Sequence, residues 1–247
     1  MSSFRSGKKY ADLLTVLLVI IIIAIIGMLG YFGYKIISKK SIEDTKDKAL
    51  AEFENSLPVP TIPDNKKPEE NDDNNSTESP DLSGLITETP QEPVEQKKNP
   101  KKTYLEGYEI KGAIKIDKTG CNYPILEKVT PNSLAKSVAI LDVQTHTEVA
   151  YTGNDLNVPG TNVLILGHNY RNGLFFSNND RLSVGDKIKI TDQLGETVTY
   201  TIYEMYYTTP SDVSFMRRDL DKNSREITLQ TCNDDSSQRL IIQARDN

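Results

Sequence analysis

Three residues of the kinds that do acyl-transfer chemistry, a thiol, an imidazole and a guanidinium, stand at the ends of apolar runs in the C-terminal half of the chain. Cys232 closes the run 226–232, and Arg239 opens the run 239–245 seven residues later. Both runs are rich in β-branched and aliphatic residues, so they read as neighbouring strands that hold thiol and guanidinium on one side of a sheet. A cysteine reacts as thiolate, and a fixed cation nearby favours that form or holds a developing oxyanion. Of the two histidines, His168 ends the apolar run 162–168 behind Gly167. That glycine is expected to let the backbone turn so that the imidazole leaves a strand end. His146 sits in a polar stretch, 144–148, without such a setting.

Each residue has a plainer reading. A cysteine at a strand end is commonly a small buried hydrophobe, a histidine after glycine a turn residue, and an arginine opening a strand a surface partner worth under about 1 kcal/mol. Two cysteines are too few for a disulfide-built scaffold, although Cys121 and Cys232 could form one bridge. Cys121 follows a turn-like segment and reads as an incidental free thiol.

Taken together, Leu229-x-Thr231-Cys232, Arg239 seven residues on, and Gly167-His168-Asn169 upstream resemble the signature of the sortases, the cysteine transpeptidases of Gram-positive cell envelopes. The resemblance covers residues 104–247. It implies a closed all-β barrel of about eight strands with short helices. It implies Cys232 as the nucleophile of a thioacyl intermediate, His168 as proton donor and acceptor, and Arg239 as the group holding the substrate carbonyl or its oxyanion. Thr231, Asn169 and Leu229 belong to the same motifs and are expected at the substrate. The implied substrates are surface proteins bearing a C-terminal pentapeptide of the Leu-Pro-x-Thr-Gly type, cleaved after threonine. The acceptor would be an amine of a peptidoglycan precursor or a pilin lysine. By the same resemblance the segment 207–224, which breaks the strand pattern at Pro210, lines the groove for that peptide.

Two rival functions are a cysteine protease of another fold and a non-catalytic, membrane-tethered wall-binding module. Arg239, where a papain-like site has an Asn or Asp orienter, speaks against the first. No cofactor is implied. Residues 178–180 and Asp234 with Asp235 carry oxygen atoms of the kind calcium takes, but solvated loop polarity is the plainer reading. The proline-rich segment has no Asp-Pro-aromatic triplet and the sequence shows no second span, both of which weaken a pilus-polymerising role.

The elements that position these residues begin with a basic tail, 1–10, followed by a stretch, 11–34, that is apolar apart from Asp12 and Thr15. A hydrocarbon core about 30 Å thick takes about 20 helical residues, whereas the apolar part of a cleaved signal peptide is about 7 to 15 long. The stretch therefore reads as an uncleaved single-pass anchor in the lipid bilayer. Lys35, Lys39 and Lys40 nearly balance the basic residues before it, and the short tail favours an N-terminus inside, with the C-terminal domain extracellular. Residues 35–103 are expected as an extracellular linker, mostly disordered, with a short amphipathic helix over 41–57 capped by Ser41. The part from 58 to 100 holds eight of the twelve prolines and no aromatic residue, the composition of a spacer.

From 104 onward, short strands alternate with Gly, Pro and Asn turns, as in a barrel or sandwich rather than a parallel α/β sheet. Strands are expected over 107–116, 121–126, 138–143, 162–168, 187–190, 197–206, 226–232 and 239–245. Thr130 should cap one or two helical turns opened by Pro131. The net charge of −6 argues against a nucleic-acid partner, which would meet a basic face.

Overall fold

The computed structural model describes residues 3–58, 100–141, 155–216 and 220–246, with side chains from Leu13 onward. His146 and most of the proline-rich spacer lie outside the described residues. Nine strands build one sheet: β1 (Tyr104–Leu105), β2 (Tyr108–Ile116), β3 (Cys121–Leu126), β4 (Val138–Ile140), β5 (Asn162–Leu166), β6 (Lys187–Asp192), β7 (Thr197–Thr208), β8 (Glu226–Cys232) and β9 (Arg239–Arg245). Their order is β1-β2-β3-β4-β5-β8-β9-β7-β6, and β2 pairs back onto β6. With β1 only a two-residue arm on β2, eight strands close the barrel, as the family resemblance implies.

The alternation is plain in β6, where Ile188 and Ile190 point into the core and Lys187 and Lys189 face solvent. The barrel is filled by Ile114, Ile116, Ile125, Ile165, Leu229 and Ile242, each with no more than a trace of exposure. Two pairings are parallel, β3 with β4 and β5 with β8. In β5 four of five residues are buried, so one strand is covered on both faces rather than alternating. The outer covering comes from the segment after β7: Phe215, in a 3-10 turn over Ser214–Met216, packs with Leu164 and Ile241 on the outside of the sheet. Between β3 and β4, α2 (Pro131–Leu134) has the expected start, with Thr130 and Ser133 capping each other's backbone N–H.

The N-terminal part differs from expectation at its junction. One helix, α1, runs from Ser3 to Ser56 without a break, so Ser41 lies inside it and caps nothing. Neither glycine nor proline occurs between Lys35 and Ser56, and without a breaker the apolar helix and the amphipathic one fuse. The helix expected over 41–57 is thus the end of a longer one that takes in residues 35–40 as well. The first part of α1 is long and apolar enough to cross a membrane and is exposed along its length. The last turns dock on the barrel: Ala49 and Phe53 are buried with Leu105, Ile110, Leu126 and Ala139, and Lys46 Nζ stands 5.1 Å over the Tyr123 ring. The spacing of 46, 49, 50 and 53 makes one face of a helix, which is why a single stripe meets the barrel.

Phe53 is the largest side chain in that contact. Phe53→Ala should destabilise the folded barrel by roughly 3 to 5 kcal/mol. Urea unfolding of the full chain in detergent micelles checks this, with Ile23→Ala, on the exposed stretch, expected to leave the midpoint unchanged.

Candidate active site

Cys232 and Arg239 form the last rung of the antiparallel β8–β9 ladder, so their side chains leave the sheet on the same face. On the other side of β8, the parallel ladder with β5 ends at Leu166 opposite Gln230, and the Gly167 N–H donates to the Gln230 carbonyl at 3.1 Å. His168 and Cys232 are each two positions beyond that last rung. Sulfur, imidazole and guanidinium therefore stand at three adjacent strand ends, β5, β8 and β9.

Gly167 is needed for space rather than for torsion. A Cβ at this position would lie 2.6 Å from Phe176 Cδ2 and 2.9 Å from Val138 Cγ1, both in the packed core. The backbone must run against those side chains for His168 to emerge where it does. The imidazole is partly covered, stacking on Tyr170 with ring centres 4.8 Å apart, and Tyr170 in turn packs at 5.7 Å on Phe175. Burial holds the His168 pKa below its ordinary value, which keeps the ring neutral near pH 7.

Asn169 ties the histidine segment to the cysteine strand. Its Nδ2 donates to the Cys232 carbonyl and to Asp234 Oδ1, each at 3.1 Å, while its Oδ1 accepts from the Arg171 N–H at 3.0 Å. A cleft of about 250 Å³ opens at this end of the barrel, bordered by Cys232, Thr231, Asn169, Tyr207, Asp180 and Asp234. Burial raises the Tyr207 pKa, and the nearby Asp180 and Asp234 carboxylates add to the rise. Among the described residues no group of three or more His, Cys, Asp or Glu side chains is arranged to hold a metal. Asp235 is turned to its own loop, where it accepts from the Ser237 N–H.

Arg239 is not among the residues that line the cleft; its guanidinium donates to the Ser236 and Gln238 carbonyls of its own loop at 3.2 Å each. Leu229 does not reach the cleft. It faces the barrel interior with no exposure, because its position in β8 is one of those that alternate inward, and it serves the core instead of the substrate. Thr231 is nearly buried, borders the cleft, and its hydroxyl has no hydrogen-bond partner among the described residues. Neither cysteine is in a bridge. Cys121 is packed in the core, where burial pushes its thiol up to about 12, whereas Cys232 is half-buried beside the cleft. The sequence reading did not single out Tyr170 or Tyr207. Tyr170 is adjacent in sequence to the histidine motif, but only the register Tyr207 to Leu240 brings the second tyrosine to this end of the barrel.

The fold is a closed mixed β-barrel in which the adjacent strands β8 and β9 meet at a rung of Cys232 and Arg239, with His168 just past the end of the neighbouring β5. The family model described as the sortase domain matches residues 114–247, more than half of the chain, and the chain belongs to the sortase family, whose members are transpeptidases. Comparison with curated proteins gave no match. Among solved structures, a sortase D5 transpeptidase of Clostridium perfringens is 28% identical over 56% of this chain and 79% of that one, with a TM-score of 0.46. A lid mutant of sortase A from Corynebacterium diphtheriae is 26% identical over 56% of this chain and 70% of its own, with a TM-score of 0.47. Sortase C-1 of Actinomyces oris is 22% identical over 55% of this chain and 72% of that one, with a TM-score of 0.48.

The two thiols should be told apart by alkylation of the native protein. Iodoacetamide should label Cys232 and leave Cys121 unmodified until urea is added, as read by peptide mass; rapid native labelling of Cys121 would contradict its burial. Gly167→Ala should cost roughly 1 to 3 kcal/mol by overpacking against Phe176 and Val138. It should also change the chemical shifts of the His168 ring, as read by NMR.

Proposed function

We propose that the chain is a membrane-anchored cysteine transpeptidase that cleaves an LPXTG-like sorting signal and passes the protein to an amine of the cell-wall precursor. The observation that carries this reading is the neighbourhood of three strand ends, with Cys232 and Arg239 on one rung and the segment of His168 bonded to the strand that carries the thiol. The neutral imidazole of His168 takes the thiol proton, and the sulfur of Cys232 attacks the threonine carbonyl carbon. The carbonyl oxygen gains the negative charge, and Arg239 faces it after leaving its present loop carbonyls. As the C–N bond breaks, His168 returns the proton to the departing amine, and a thioacyl ester remains on Cys232. The incoming amine attacks that ester, gives a proton to His168, and the thiolate leaves.

The segment after β7 is the natural wall for the peptide, since Phe215 already covers the outer sheet face shared by Leu164 and Ile241. Thr231 and Asn169 border the cleft beside the sulfur and contribute to its shape. The apolar part of α1 spans the membrane once with the N-terminus inside, so that the barrel faces the wall. This topology puts the thiol on the side where wall precursors and surface proteins are exposed.

The full chain in detergent micelles should convert a labelled Leu-Pro-x-Thr-Gly peptide plus an amine into the transfer product. Cys232→Ala should abolish it, and His168→Ala should lower kcat/KM by about 10² to 10⁴. Hydrolysis indifferent to the amine would indicate a protease, and peptide binding without turnover a wall-binding module. The pH profile has a definite sign: a depressed His168 pKa keeps the base unprotonated further down, so the acid limb should fall below about 6.5.

A further inference from the structure

A groove of about 840 Å³ lies between α1 and the loop that follows β5. Among the described residues its lining includes three basic side chains, Lys35 and Lys39 from the helix and Arg171 from the loop, and no acidic one. In a chain of net charge −6 this is a local reversal of sign in a concave, partly apolar site. Lys35 and Lys39 are four apart and share a helix face. Lys39 Nζ donates to the Asn172 carbonyl at 2.8 Å, which joins it to the loop that carries Arg171, while Lys35 Nζ stands 5.1 Å over the Tyr31 ring of its own helix. Lys39 also stands 3.9 Å from the exposed Glu43, a pairing too long and too solvated to neutralise it.

The groove is placed where the apolar stretch of α1 ends. Phe32 and Tyr34 line it and are exposed, as aromatic residues are at the headgroup level of a bilayer. From Phe32 to Lys39 the helix rises about 10 Å. The headgroup layer is roughly 5 to 8 Å deep on each side, so a membrane holding the apolar stretch would put its phosphates at this groove. Solvated lysines on a helix face are ordinarily without a ligand; here two of them line one cavity together with an arginine from another element, and among the described residues no carboxylate lines it.

We infer that this groove binds the phosphate of an anionic membrane phospholipid, held by Lys35, Lys39 and Arg171, with the lipid chains running down along Phe32 and Tyr34. The inference rests on the reading of α1 as a membrane span. The loop bearing Arg171 also carries Tyr170, which stacks on the His168 ring, so the bound headgroup fastens the neighbour of the imidazole to the bilayer surface.

The test uses the full chain in nanodiscs of phosphatidylcholine with and without phosphatidylglycerol, followed by native mass spectrometry of the lipid retained. Wild type should keep phosphatidylglycerol in preference to phosphatidylcholine, and Lys35→Gln/Lys39→Gln/Arg171→Gln should lower that preference by roughly a hundredfold. A control of equal charge change away from the groove, Lys101→Gln/Lys115→Gln/Lys128→Gln, should retain it. Hydrogen exchange across 169–174 should slow in the anionic discs for wild type only. Equal retention by wild type and the groove variant would overturn the inference. So would displacement of the lipid by inorganic phosphate alone, which would mark a free-anion site. Flotation with vesicles separates the underlying reading: if the full chain fails to float, the membrane span fails and the lipid site with it, whereas floating without headgroup preference removes the site alone.

Discussion

Everything at the reactive end of this barrel depends on one rung of backbone pairing, Cys232 opposite Arg239, with a parallel strand on the other flank of β8. In an antiparallel ladder, directly opposed residues share a face, so this rung starts the Cys232 and Arg239 side chains on the same side of the sheet. A slip of one residue would send Cys232 into the core and Leu229 or Thr231 outward. The apolar inward set of β8 and β9, Ile227, Leu229, Leu240, Ile242 and Ala244, opposes that slip, because it would take the slipped strand's members out of the barrel interior. Packing of the barrel interior is therefore what holds Cys232 and Arg239 in register, and Leu229 contributes to that from inside the barrel.

The histidine is held by a different device. β5 runs parallel to β8, and two hydrogen-bonded connections past the ladder, from Gly167 to Gln230 and from Asn169 to the Cys232 carbonyl, carry the pairing beyond the last rung. Asn169 uses its Nδ2 on the Cys232 carbonyl and on Asp234, and its Oδ1 accepts from the Arg171 N–H of its own loop, so its side chain is a brace between two segments. The close approach of Gly167 to Phe176 and Val138 completes the arrangement, since any side chain there would push the segment off the core. Partial burial of the imidazole against Tyr170 then sets its chemistry by keeping the neutral form favoured.

The second organising constraint is the unbroken helix. Because α1 runs from the apolar stretch to the barrel without a hinge and is seated there by Ala49 and Phe53, orientation at one end is transmitted to the other. A helix of this kind is stiff over its 54 residues, about 80 Å. A flexible tether beginning at residue 35 would have left the barrel free to tumble. The docked helix instead places the loop after β5 beside the helix residues Phe32 to Lys39, where the Lys39 contact to Asn172 links them.

The sequence by itself determined the residue types at the site, the all-β character of the C-terminal part and the apolar stretch at the N-terminus. These are properties of local spacing: alternation in β6, a Thr-Pro start at α2, a long uncharged run, and motif residues adjacent in the chain. It also marked Leu229 and Thr231 with Cys232, yet whether each faces substrate or core is a matter of strand parity that the motif does not state. Only the tertiary structure decided the strand order, the two parallel pairings, the fusion of two expected helical segments into α1, and the free state of both thiols. It also decided that Gly167 serves close packing and that Tyr207, Asp180 and Asp234 meet at one cleft. Each of these is a contact between segments far apart in the chain, and its energy comes from burial and complementarity that exist only after the barrel closes. The division follows from that: near-neighbour spacing writes the elements and their chemistry, while non-local packing chooses which face each residue shows and what it stands beside.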